Sequence, residues 1–135
     1  MTGFNVPVSV QHMIDELPPG LERAILRVLS FHIGRAKAIS RQDLIGELLN
    51  HGFDYRKEDR PVRLAINQMR KQGHPICSTG GIGGGYFLAV DWAELNEYLQ
   101  AEIHARAMDL LEQEKAMRDG GSRLWGSQSQ QISMF

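Results

Sequence analysis

Across 135 residues there is one cysteine, Cys77. A lone thiol excludes an intramolecular disulfide framework and fits a reducing compartment. Long hydrophobic runs are missing too: none approaches the roughly 20 apolar residues that a membrane span requires. The opening Met1-Thr-Gly-Phe-Asn-Val-Pro has no basic region and no apolar signal core. The expectation is therefore a cytoplasmic protein rather than a secreted one. The five histidines (12, 32, 51, 74 and 104) are dispersed, and none has metal-ligand spacing with Cys77. Neither a serine–histidine arrangement nor a clustered pair of carboxylates stands out. The reading is no enzyme, no cofactor and no metal.

Net charge is scarce as well, at −1, but it is unevenly divided. Residues 21–75 carry eleven Lys/Arg against six acids, whereas residues 91–117 carry two against seven. An asymmetry of this size points to one face turned toward a polyanion more than overall charge does.

What is present centres on Asp59 to Leu88. Asp59-Arg60-Pro61 reads as a helix start, with Asp as the cap and Pro in the first turn, where it costs no hydrogen bond. Val62, Ala65, Ile66 and Met69 keep helical spacing and predict a buried face. Arg60, Arg63, Asn67, Arg70 and Lys71 fall on the opposite side as one polar stripe. Gly73 closes the helix. Pro75–Ser78 and Tyr86–Val90 then read as two short strands joined by a loop with five glycines in the six positions 80–85. That loop is no nucleotide cradle, because a strand follows it rather than a helix, and no Lys-Ser/Thr pair does.

Upstream, Val8–Leu17 predicts a short helix broken by Pro18-Pro19-Gly20. Leu21–Gly34 predicts a second, with Leu21, Ala24, Ile25, Val28, Leu29 and Ile33 at helical spacing. Ala38-Ile39 has the size of a stub strand able to pair with the later hairpin. Ser40-Arg41-Gln42-Asp43 resembles a capping box and opens a helix whose Leu44, Ile45, Leu48 and Leu49 face inward. Phe53 and Tyr55 are expected to anchor the following turn in the core. Asp91-Trp92-Ala93-Glu94, a second capping-box variant, opens a long helix running to about Met117. From Gly120 the Gly/Ser/Gln-rich composition reads as a flexible tail.

The order helix, stub strand, helix, turn, helix, hairpin over residues 21–90 resembles the winged helix-turn-helix superfamily. The motifs that carry the likeness are Ser40–Asn50, Arg63-x-x-Ile66-x-x-x-Arg70-x-x-Gly73, and Pro75–Ser78 with Gly85–Leu88. The fold class expected is mainly α with a small antiparallel β-hairpin: a winged helix-turn-helix plus a long C-terminal helix. The domains expected are an N-terminal arm (1–20), the winged domain (21–90), a long helix with a possible homodimer contact (91–118) and a flexible tail (119–135). In such a domain the third helix enters the major groove and the hairpin lies along the backbone. Arg63 and Arg70 then suit guanine and Asn67 adenine. Lys37, Arg41, Arg60 and Lys71 suit phosphates. Gly81, Gly83 and Gly84 offer backbone amides at a tip with little side-chain bulk.

The last five residues, Gln131-Ile132-Ser133-Met134-Phe135, resemble the short motif with which bacterial replication and repair proteins bind the β sliding clamp. Position 132 is Ile where Leu is commoner. Met134 and Phe135 would fill an apolar pocket, Ile132 a shallower one, and Gln131 the polar rim. A tether from Gly120 to Gln130 spans roughly 18 Å, which lets clamp and winged domain act on one DNA. The resemblances together imply a nucleoid-associated accessory protein of bacterial or phage DNA replication, with DNA and the clamp as partners. The alternatives are a dimeric sequence-specific transcriptional regulator, and an adaptor that occupies the clamp without binding DNA.

Overall fold

The computed structural model describes residues 8–80 and 84–126, and the chain forms two compact units, 1–95 and 96–135. It is mainly helical, with a small three-stranded antiparallel sheet and a long C-terminal helix. No described helix is long and apolar enough to cross a membrane.

The first unit is built on the helix α2 (Leu21–Leu29), which buries Ala24, Ile25, Leu26, Val28 and Leu29. Around it pack α1 (Val8–Glu16), α3 (Arg41–Asn50), α4 (Arg60–Lys71) and the sheet. Residues 8–16 pack on the domain, where Val10 and Ile14 belong to the same core as Ile25 and Leu48. Phe53 and Tyr55 pack against that core from the α3–α4 turn. α4 buries Val62, Ile66 and Met69 at the spacing its sequence predicts, with Ala65 half-buried.

α2 is shorter than its periodicity suggests. It stops at Leu29, where Ser30 Oγ donates to the Arg27 carbonyl at 2.6 Å. The next residues serve the sheet instead. The His32 carbonyl accepts from the Leu88 N–H at 3.0 Å, and the Gly34 N–H donates to the Leu88 carbonyl at 2.8 Å. Gly34 makes that turn at φ 94°, in the left-handed region that favours glycine.

The sheet has the order β1-β3-β2, with β1 at Ile39–Ser40, β2 at Ile76–Ser78 and β3 at Gly85–Leu88. β2 and β3 form the expected hairpin, registered Ile76 to Leu88, Cys77 to Phe87 and Ser78 to Tyr86. The stub strand joins it on the far side of β3, pairing Ile39 with Tyr86 and Ser40 with Gly85. Gly85 is the contact point. A Cβ there would sit 3.0 Å from Ser40 Cα and run into the Ile39 carbonyl. It belongs to the sheet, not to the loop in which composition alone places it.

Two caps follow their sequence signatures in part. The Ser40 hydroxyl accepts from the Asp43 N–H at 3.0 Å, and Asp91 Oδ1 accepts from the Glu94 N–H at 2.9 Å. The Glu94 carboxylate then accepts from two backbone N–H groups, Val90 at 2.9 Å and Arg35 at 3.1 Å. It thereby ties the end of the hairpin to the 3₁₀ turn Arg35–Lys37.

α5 (Trp92–Tyr98) passes through π-helical turns at Leu99–His104 into α6 (Ala105–Trp125). The helix therefore continues well beyond Met117. Gly120 to Trp125, the first six residues of the stretch composition marks as flexible, are helical. The Trp125 ring lies over Gly121 one turn below, 3.5 Å from where a Cβ would be, which supplies a contact that the glycine pair itself lacks.

Two outcomes are expected. Gly85→Ala overpacks a backbone crossing and lowers stability by on the order of 2 kcal/mol or more, read as a drop in thermal midpoint. Cys77 is fully buried, and loss of water with Glu94 nearby pushes its thiol up to about 11, against a smaller opposing pull from Arg70. A thiol reagent at neutral pH will label it only as fast as the unit unfolds; rapid labelling of native protein would refute that burial.

Candidate nucleic-acid interface

Asp59 immediately precedes α4, and its side chain reaches the first residue of α3. Sequence casts it as the α4 cap, yet its side chain makes no capping bond. Glu58 takes that role instead, accepting from the Arg60 N–H at 3.0 Å. The Asp59 carboxylate turns to two guanidiniums. Oδ2 lies 3.5 Å from Arg41 Nη1, at the start of α3, and Oδ1 lies 3.4 Å from Arg63 Nε, one turn into α4. One acid thus holds together two cations more than twenty positions apart in sequence. Both arginine side chains remain more than half exposed, so the pairs are weak and exchangeable for another anion.

Two grooves flank this cluster. The larger, about 790 Å³, is lined by Ser40, Arg41, Gln42, Ile45, Gly46, Arg56, Asp59 and Gly84. The smaller, about 280 Å³, runs beside the hairpin and shares Arg41 and Gly84, adding Arg70 and the β2–β3 ends. Arg41 and the hairpin base are common to both. They meet because Arg41 directly follows β1, and β1 is paired with β3 at Gly85.

The remaining predicted residues fall into groups. Arg60, Asn67 and Lys71 are exposed on α4 with Arg63, as the polar stripe requires. Lys37 is exposed on the Arg35–Lys37 turn and, like Arg60, Arg63, Asn67 and Lys71, lies outside the lining of both grooves. Arg70 departs from its expected place. It is half-buried and its Nε donates to the Ile76 carbonyl at 2.8 Å, so a donor that a guanine contact would use fastens β2 to α4. Gly81 and Gly83, and the whole Gln131–Phe135 motif, lie outside the described residues.

Sequence reasoning passed over two members. Leu64 is 55% exposed on the outer side of α4, one turn from Arg60. Its signal was an apolar residue out of phase with Val62, Ile66 and Met69. Arg56 lines the larger groove, and the hint was Asp54 two positions before it. Arg56 Nε and Nη2 each donate to Asp54, to Oδ1 and Oδ2 at 2.9 Å, and its backbone N–H adds a third bond at 3.3 Å. Thr79 Oγ1 accepts from the Gly85 N–H at 2.8 Å and closes the base of the hairpin loop. Among the described residues no three His, Cys, Asp or Glu side chains gather as a metal site would require.

The Arg56 hydrogen bonds hold the Asp54 carboxyl down to about 2. Because the folded value is depressed, the pair's contribution is complete above the unfolded value near 4 and disappears as pH falls through about 2. An NMR titration should place the Asp54 midpoint near 2, and Arg56→Ala should return it to about 4. An Asp54 midpoint already near 4 in the unaltered protein would contradict this geometry.

No family model, no curated protein and no solved structure matches the chain.

Proposed function

We propose that the first unit is a winged helix-turn-helix module that binds duplex DNA, and that the protein is a non-enzymatic accessory factor of bacterial or phage DNA replication. The observation that carries the reading is the Arg41–Asp59–Arg63 cluster beside the hairpin base. It supports DNA contact because one acid draws together exposed cations from the starts of two helices, and Arg41 among them lines both grooves at the hairpin base. α4 is the element that enters the major groove, with Arg63 and Asn67 toward base edges and Leu64 available to a thymine methyl. Arg41, Arg60 and Lys71 neutralise phosphates, with Lys37 an outlying contact. Arg70 acts one step back, holding β2 against α4. When a phosphate arrives, Asp59 gives up its weak pairs, and each guanidinium turns its free N–H donors to the new anion.

The second part of the reading rests on sequence. The likeness of Gln131–Phe135 to a clamp-binding motif supports tethering to the β sliding clamp, which raises the effective concentration of the DNA-binding unit near a replication site.

The test is fluorescence anisotropy with labelled duplex and single-stranded DNA across a salt series. Binding is expected to favour duplex and to weaken steeply with salt. Arg41→Ala with Arg60→Ala should reduce the slope of log affinity against log salt by about two. Removing residues 131–135 should abolish binding to purified clamp and leave DNA affinity unchanged. No duplex binding at low salt by folded protein would overturn the DNA reading. DNA binding with no clamp affinity would leave the operator-binding regulator in its place.

A further inference from the structure

α6 has no buried residue over its 21 positions. An isolated helix of that length is marginal in water even with a favourable sequence, and its own sequence is interrupted by Gly120-Gly121. Its apolar residues are nevertheless ordered. Leu110, Met117 and Leu124 recur at intervals of seven, as does Ile103 in the π-helical turns just before α6, and the four are 58%, 75%, 74% and 41% exposed. The pattern becomes visible only because the helix reaches Trp125, which brings Leu124 into phase as the fourth member. It begins at Ile103, since Asn96 occupies the position seven residues earlier. A seven-residue repeat of this kind is a seam for a second helix.

Charge selects the partner and its direction. From 96 to 114 the helix carries five acids and one arginine; from 115 to 125 it carries three Lys/Arg and one acid. The two halves are complementary to each other, so a second copy laid antiparallel sets acidic against basic along the whole contact. A parallel copy would set like against like. The positions between the seam residues agree. Arg106, Gln113 and Gly120 lie three residues after Ile103, Leu110 and Met117. In an antiparallel pair with Leu110 opposite Met117 of the second copy, the long Arg106 meets the gap left by Gly120. Gln113, bonded to Asp109 at 2.7 Å, falls near the two-fold axis. In a parallel pair Arg106 would face its own copy.

We infer that the second unit is a self-association element, in which two copies of the chain pair antiparallel through the Leu110–Met117–Leu124 face of α6 and Ile103 just before it. The pair covers an apolar stripe that is otherwise left in water, and an isologous contact of this kind closes on itself as a dimer. It stands independently of the DNA reading. Two DNA-binding units joined in this way would also gain from bivalency on DNA.

The experiment is sedimentation equilibrium of the full chain, with Leu110→Glu and Met117→Glu combined as the disrupting variant. Protection of Cys77 from a thiol reagent serves as the control that the first unit stays folded. The expected result is twice the 15.2 kDa chain mass for the unaltered protein and a single chain mass for the variant, with Cys77 protected in both. Direction is read by oxidative cross-linking: Leu110→Cys alone should give no linked dimer, whereas Leu110→Cys with Met117→Cys should. A monomer for the unaltered protein at high micromolar concentration would overturn the inference, whether the face is covered by the chain itself or by another protein. So would a dimer that survives the double Glu substitution. Efficient linking by Leu110→Cys alone would overturn the antiparallel arrangement.

Discussion

The close approach of β1 to β3 at Gly85 is the contact on which the candidate interface depends. β1 is two residues long and makes little structure of its own. Its importance is positional. Ser40 ends the strand and caps α3, so Arg41 leaves the sheet edge already directed along the face that the hairpin borders. A side chain at position 85 would push the strand away. The start of α3, the grooves on either side of Arg41 and the spacing to the hairpin base would move with it.

The second constraint is electrostatic. Basic residues gathered on one face repel one another, and that cost falls when an acid is placed among them. Asp59 does this for Arg41 and Arg63 at a partly exposed site, where each ion pair contributes little to folding. Both guanidiniums stay more than half exposed. Arg56 and Arg70 show other uses of the same residue type. The first is locked to Asp54 beside the groove, and the second is turned inward to a backbone carbonyl. Basic side chains of equal formal charge therefore divide into two with fixed partners, Arg56 and Arg70, and two, Arg41 and Arg63, that share Asp59 weakly.

Much of this was legible from the residues. Val62, Ile66 and Met69 announce the buried side of α4, and Ser40 its neighbour's cap, because helical periodicity and capping are local properties. The stub strand and the hairpin were readable for the same reason. Other features escaped. Ile33 keeps the helical phase of α2, but the sheet claims the backbone around it, so the helix ends at Leu29. Asp59 has the right identity and place for a cap, yet two guanidiniums outbid the helix amides. Arg70 lies on the polar stripe, but the carbonyl at Ile76 comes within its reach only after the chain reverses at Gly73.

By itself, then, the sequence determined the local elements, the segregation of charge into a basic and an acidic stretch, and the absence of a membrane-length apolar run among its helices. Each follows from spacing or composition over a few turns of chain. Only the tertiary structure decided which of the basic residues stand together, that Gly85 belongs to a strand crossing, and that the last helix runs on through Gly120-Gly121 to Trp125. Those outcomes depend on contacts between residues distant in sequence, or on a side chain lying across a neighbouring turn. Periodicity carries no information about either.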